Sequence, residues 1–98
     1  MVTPSLPVLS ALGQPTRWRT FELLLGKGTD GMLQHEIGEA LGIPKPLMSA
    51  HLKVLQKAGL VSGERSGREV TYRVTPELAL DAAEIMVDAI KSAPGKAA

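Results

Sequence analysis

Gln34–Gly59 reads QHEIGEALGIPKPLMSAHLKVLQKAG, and the punctuation of this stretch decides the fold. Ile37, Ala40 and Leu41 recur at helical spacing, so Gln34 to Leu41 is expected as a short helix with those three residues on its inner face. Gly42-Ile43-Pro44 stops it, because glycine accepts left-handed backbone and the residue before proline is pushed out of the helical region. A second helix is expected from Lys45 or Pro46, with Met48, Leu52 and Leu55 inward and Gly59 in the left-handed position that ends it. Two short helices joined by a tight turn containing glycine form a helix-turn-helix.

Downstream, Leu60–Glu64 and Glu69–Val74 read as strands. In the second, Val70, Tyr72 and Val74 alternate with Thr71 and Arg73. Arg65-Ser66-Gly67-Arg68 between them is a hairpin tip. Thr75-Pro76-Glu77 opens a last helix, with Thr75 as its cap, that runs to about Lys91. Upstream, Leu6, Val8, Leu9 and Leu12 form a short apolar segment closed by Gly13. Pro15 starts a helix carrying Trp18, Phe21 and Leu25, and Lys27–Gly31 is a loop by composition. The order helix, helix, short helix, turn, helix, hairpin, helix predicts a winged helix-turn-helix: mainly α with a small β-hairpin wing, about five helices, dimeric. Residues 1–91 are expected as a single domain with terminal dimerisation helices, and 92–98 as a flexible tail.

Composition narrows the function. A chain of 98 residues holds one core. It has no cysteine, which excludes disulfides, thiolate metal sites and thiol switches from these residues. No apolar run is long enough to span a membrane, and Pro4 and Pro7 break the apolar start, which therefore does not read as a signal peptide; a cytoplasmic protein is expected. The net charge is only +1, but Ile43–Thr75 carries six of the 11 Lys and Arg and two of the 10 Asp and Glu. A basic half on a near-neutral chain is the footprint of a nucleic-acid partner, or a merely solvated face.

A helix of this kind fits the major groove of DNA, where its exposed residues reach base edges, and a neighbouring hairpin reaches phosphates or the minor groove. Positions left over from the core give the candidate DNA-binding set: Lys45, Leu47, Ser49, Ala50, His51 and Lys53 on the helix, Arg65, Ser66 and Arg68 on the wing. Lysine suits phosphate or guanine, Ser49 and His51 can hydrogen-bond, and Leu47 suits a thymine methyl. His51 reads equally as a DNA contact or as a buried, hydrogen-bonded residue that fixes the helix. The last helix confines its charges, Glu77, Asp81, Glu84, Asp88 and Lys91, to one stripe, and the rest is apolar. So wide an apolar surface points to self-association, with Leu6, Leu9, Leu12, Leu78, Ala82, Ile85, Met86 and Ala89 as the candidate dimer interface.

The stretch Leu9-Ser10-Ala11-Leu12-Gly13-Gln14-Pro15-Thr16-Arg17-Trp18-Arg19 resembles the opening of the arsenic-repressor (ArsR/SmtB) family. Ser49-Ala50-His51-Leu52-Lys53-Val54-Leu55 resembles its recognition helix, and Ala58-Gly59-Leu60-Val61, Arg65-Ser66-Gly67-Arg68 and Tyr72-Arg73 resemble its wing. The resemblance covers about Leu9 to Val74. It implies a homodimeric repressor that binds an inverted-repeat operator in double-stranded DNA and leaves it when an inducer binds. The departures are specific. Where soft-metal sensors of the family carry a Cys-x-Cys pair, this chain has Leu33, Gln34 and His35. Where others bind zinc through Asp and His of the last helix, it has Asp81, Glu84 and Asp88 but no histidine. No metal site and no cofactor are therefore expected. Pro46 stands where many relatives have a polar residue. A small-molecule inducer would find apolar lining near Leu12, Trp18 and Met86. No nucleophile, phosphate loop or paired carboxylate–histidine arrangement suggests an enzyme. Two other readings stay open: a winged helix used for protein–protein contact, and a constitutive regulator without an inducer.

Overall fold

The structure, a computed structural model, describes residues 2–95. Helix α1 (Leu6–Leu12) starts where Ser5 Oγ accepts from the Val8 N–H (3.4 Å) and stops at Gly13. Helix α2 (Pro15–Lys27) has proline in its first turn, and the Gln14 side chain accepts from the Arg17 N–H (2.8 Å). The expected loop after it contains a single 3₁₀ turn, Gly28–Asp30. Strand β1 (Met32–Leu33) follows, then α3 (Gln34–Leu41), α4 (Lys45–Lys57), β2 (Val61–Ser66), β3 (Glu69–Val74) and α5 (Glu77–Ser92). The three strands form an antiparallel sheet in the order β1-β3-β2.

The helix-turn-helix falls where its punctuation predicts. Gly42 closes α3 in the left-handed region (φ 68°), and the Ile43 N–H donates to the Gly38 carbonyl (2.9 Å), which turns the chain within two residues. At the other end of α3, Glu36 reaches back to accept from the Leu33 N–H (2.8 Å). Met48, Leu52 and Leu55 of α4 are completely buried, against Val8, Phe21, Leu24, Ile37 and Leu60. Each large side chain so covered contributes about 1.5–3 kcal/mol of hydrophobic stabilisation, and Thr20, buried among them, has its hydroxyl satisfied by the Thr16 carbonyl (2.8 Å). Gly59 (φ 80°) ends α4, and a Cβ there would meet Leu78 Cδ1 at 2.8 Å, so this turn also admits α5.

The expected hairpin forms from β2 and β3, and β1 adds a third strand by pairing with the central β3 through Met32–Tyr72 and Leu33–Thr71. Three expectations need correction. Ala40, assigned to the inner face of α3, is exposed, and Ile37 alone on that helix is fully covered. Thr75 does not cap α5: its hydroxyl donates to the Gly59 carbonyl (2.7 Å), and Pro76 holds the cap position without a side-chain bond. The strand β2 begins at Val61 and runs to Ser66, leaving Gly67 and Arg68 as the turn. The expected tail lies partly outside the described residues: α5 extends to Ser92, and residues 96–98 are not described.

Candidate nucleic-acid interface

Burial of Met48, Leu52 and Leu55 sorts the rest of α4 by default. Lys45, Leu47, Ala50 and Lys53 are exposed, and Ser49 and His51 are half-buried. Leu47 leaves 56% of its surface to solvent, an unusual place for a leucine on a helix whose other leucines are buried. On the wing, the register Arg65–Val70 and Ser66–Glu69 leaves a two-residue turn, with Gly67 at φ 63°. Arg65, Ser66 and Arg68 are all exposed.

The helix start and the wing tip share a groove of about 390 Å³, lined by both Lys45 and Arg68 over apolar residues that include Ile43, Met48 and Val70. Glu39 and Glu69 line it too, so it is not uniformly basic. His35, from α3, lies between those acids: Nδ1 is 3.8 Å from the Glu39 carboxylate and Nε2 is 4.0 Å from that of Glu69. These groups are solvent-exposed, and such pairs contribute little. Arg73 is tied down within the chain. Its Nε donates to the Thr29 carbonyl (2.8 Å) and its NH1 to Glu64 Oε1 (2.8 Å), so the guanidinium fastens β3 to the 3₁₀ turn and to β2.

Arg17 is the residue that sequence reasoning missed. Its Nε donates to the Ala11 carbonyl of α1 (2.7 Å), and its NH1 lies 3.3 Å from His51 Nδ1 on α4. Partial burial, and then the neighbouring Arg17 charge, push the His51 pKa below its ordinary value of 6.5. Arg17 and His51 stand 34 positions apart. The only signal was that Arg17 belongs to one resembling motif and His51 to another.

The candidate dimer residues divide. Leu6, Leu78, Met86 and Ala89 are exposed, and Leu9, Leu12 and Ile85 are half-buried. Ala82 is covered within its own chain, where α1 packs on α5, and so has no surface to offer a partner. Leu80, Val87 and Ile90, which were not in the candidate set, are exposed as well. The accessible surface, 6519 Å², is about a fifth more than the roughly 5400 Å² implied for a folded monomer of 10.4 kDa. Trp18 and Met86, expected beside an inducer pocket, are exposed, at 45% and 43%. Among the described residues no helix is long and apolar enough to cross a membrane, and no three His, Cys, Asp or Glu side chains are grouped to hold a metal ion.

Comparison with known proteins accords with this geometry. Residues 14–69 match the model of the MarR family. The chain is 42% identical over 86 residues to the HTH-type transcriptional repressor SmtB of Mycobacterium tuberculosis, covering 88% of this chain and 59% of that protein's length. It is 34% identical over 83 residues to the transcriptional repressor SdpR of Bacillus subtilis, covering 85% of this chain and 89% of SdpR. Among solved structures, the homodimeric winged helix-turn-helix DNA-binding domain of a possible ArsR-family transcriptional regulator from Mycobacterium bovis superposes with a TM-score of 0.67 at 30% identity, over 85% of this chain and 75% of that one. The MarR match ends at the wing tip, whereas the relatives extend the likeness over most of the chain. The chain thus belongs to the ArsR/SmtB-type winged helix-turn-helix transcriptional regulators, with a helix-turn-helix segment that fits the MarR family model.

Proposed function

We propose that this protein is a sequence-specific double-stranded DNA-binding regulator that works in the cytoplasm as a homodimer and represses transcription until an inducer releases it. One observation carries the reading: Lys45 at the start of α4 and Arg68 at the wing tip border the same groove, next to a helix face that leaves Leu47 exposed. A helix with that face fits the major groove, while an arginine-tipped hairpin beside it reaches the backbone. The named functions of SmtB and SdpR support repression. The exposed apolar residues of α5 and Leu6 of α1 support self-association, as does the homodimeric state of the Mycobacterium bovis domain. The dimer contact is assigned to Leu6, Leu78, Met86 and Ala89 with Leu80, Val87 and Ile90, and the DNA contact to the exposed residues of α4 and the wing.

The test is selection of bound duplexes from a random pool at two salt concentrations. The expected product is an inverted repeat with half-sites about 34 Å apart or a multiple of that distance. Affinity should fall with salt, with a log–log slope of about −0.9 per phosphate neutralised. Failure to enrich any duplex, or affinity that ignores salt, overturns the reading. The same bound complex then serves to screen small molecules for release.

A further inference from the structure

We infer that Arg17 is a positioning residue for DNA recognition: its guanidinium ties the end of α1 to α4 and holds His51 as a neutral imidazole whose Nε2–H is offered to a DNA phosphate. The inference rests on the DNA-binding reading above. A guanidinium has five N–H donors and no acceptor. Its 3.3 Å approach to Nδ1 therefore requires a lone pair on that nitrogen, which puts the ring's proton on Nε2. Every buried side-chain nitrogen or oxygen among the described residues has a hydrogen-bond partner. Nε2 has none among the described residues, so it is reached by solvent and free to donate.

Charge keeps the ring in that state. A protonated imidazole would turn a second donor and a second positive charge toward Arg17. The charge that bears on the ring is Arg17 from α2; α1 carries no ionisable side chain, and the ionisable residues of α3 (His35, Glu36, Glu39) and β2 (Glu64, Arg65), elements also packed on α4, are all exposed. A neutral N–H on the flank of α4 that packs on α2 suits the sugar–phosphate backbone, leaving base edges to the outward residues such as Lys45 and Leu47. The second bond of Arg17, to the Ala11 carbonyl (2.7 Å), makes the same guanidinium a link between the recognition helix and α1, whose Leu6 is left exposed.

The test pairs nitrogen NMR of the histidine rings with affinity for a duplex selected by the wild-type protein. In the free protein His51 should show the neutral Nε2–H form and titrate below 6.5. Arg17→Gln should move the midpoint upward and weaken binding about tenfold. His51→Leu should weaken binding by about the same factor, and the double variant no further, because the two residues act as one unit. His51→Gln should keep most of the affinity, since an amide supplies both an acceptor for Arg17 and an outward donor; it also keeps the test open where Arg17→Gln is poorly folded. An Nδ1–H ring in the wild type, additive losses, or an Arg17→Gln variant that binds and titrates like the wild type overturns this inference alone. A wild-type protein that selects no duplex overturns the DNA reading and this inference together.

Discussion

Helices α4 and α5 are both amphipathic, yet the chain completes only one of them. α4 spends most of its large apolar side chains on its own core: Met48, Leu52 and Leu55 have no exposed surface, and of the large apolar side chains only Leu47 (56%) and Val54 (39%) stand outside, among Lys45, Ala50, Lys53, Gln56 and Lys57. α5 buries Ala82 and leaves Leu78, Leu80, Met86, Val87 and Ile90 at 43–60% exposure. Its charges lie on an exposed stripe, so the apolar surface is the unmatched part. The difference separates two tasks. α4 is held from behind and leaves its outward face free for the proposed DNA contact, while α5 leaves an apolar surface for the proposed partner. Monomers seldom expose a contiguous apolar patch beyond a few hundred Å².

The largest effects should therefore fall on α4's inner face. Leu52→Ala removes a fully buried side chain and should cost about 2–5 kcal/mol, against a total of roughly 5–15 kcal/mol for a domain of this kind. Urea unfolding measures it. The same substitution at Ile90, 60% exposed, should leave the folding of the single chain nearly unchanged. Measured in a monomeric background such as Met86→Asp, equal losses at the two positions would mean that α5 is covered by its own chain and the comparison is false.

Charge on α5 tests the other half. Met86→Asp puts a carboxylate where the proposed partner surface is apolar and offers it no counter-charge, which opposes association strongly. Light scattering should find a dimer for the wild type and the 10.4 kDa chain for the variant. DNA affinity should fall with it, because one half-site gives few contacts. A wild type that scatters as a monomer at micromolar concentration would remove the dimer from the proposal.

On the outward face of α4 and on the wing, the effects should be smaller and differ in kind. Lys45→Ala should cost about 1–3 kcal/mol, mainly on the preferred duplex. Arg68→Ala should weaken binding to all duplexes alike and lower the salt slope by about one. If both behave as Arg68 is expected to, α4 contributes charge and no base reading.

How much of this was legible in sequence follows the range of each interaction. The inward face of α4, the turn at Gly42 and the strand at Glu69–Val74 were readable, because a period or a backbone constraint acts within a few residues. β1 was not, since two residues carry no period and Met32 is a strand only by pairing with Tyr72, 40 positions away. Thr75 looked like a cap because its neighbours suit one, but the Gly59 carbonyl, 16 positions back, takes its hydroxyl. Arg73 counted as free positive charge until the fold brought Glu64 and Thr29 to it. The candidate site was legible to the same degree: exposed residues of α4 and the wing follow from the core pattern, whereas the Arg17–His51 contact exists only after α2 and α4 pack.

The smallest expected effect distinguishes the two helices by pH. α4 sets a histidine against α2, while the ionisable side chains of α5 are all exposed. His51 binds a proton less readily in the folded protein than the ordinary value of 6.5, because partial burial and then Arg17 oppose the charged ring. In the unfolded chain nothing opposes it. As pH falls through 6.5 toward the folded value, the unfolded state takes up a proton that the folded state refuses, so stability declines. His51's contribution is thus fully present above pH 6.5 and lost across the window just below it. Urea midpoints for the wild type and His51→Gln on either side of that pH measure the difference. The wild type should lose more stability on acidification than the glutamine variant. Parallel declines would show that α4, like α5, meets solvent with all its titratable groups, and that the link from Arg17 to His51 is not maintained in solution.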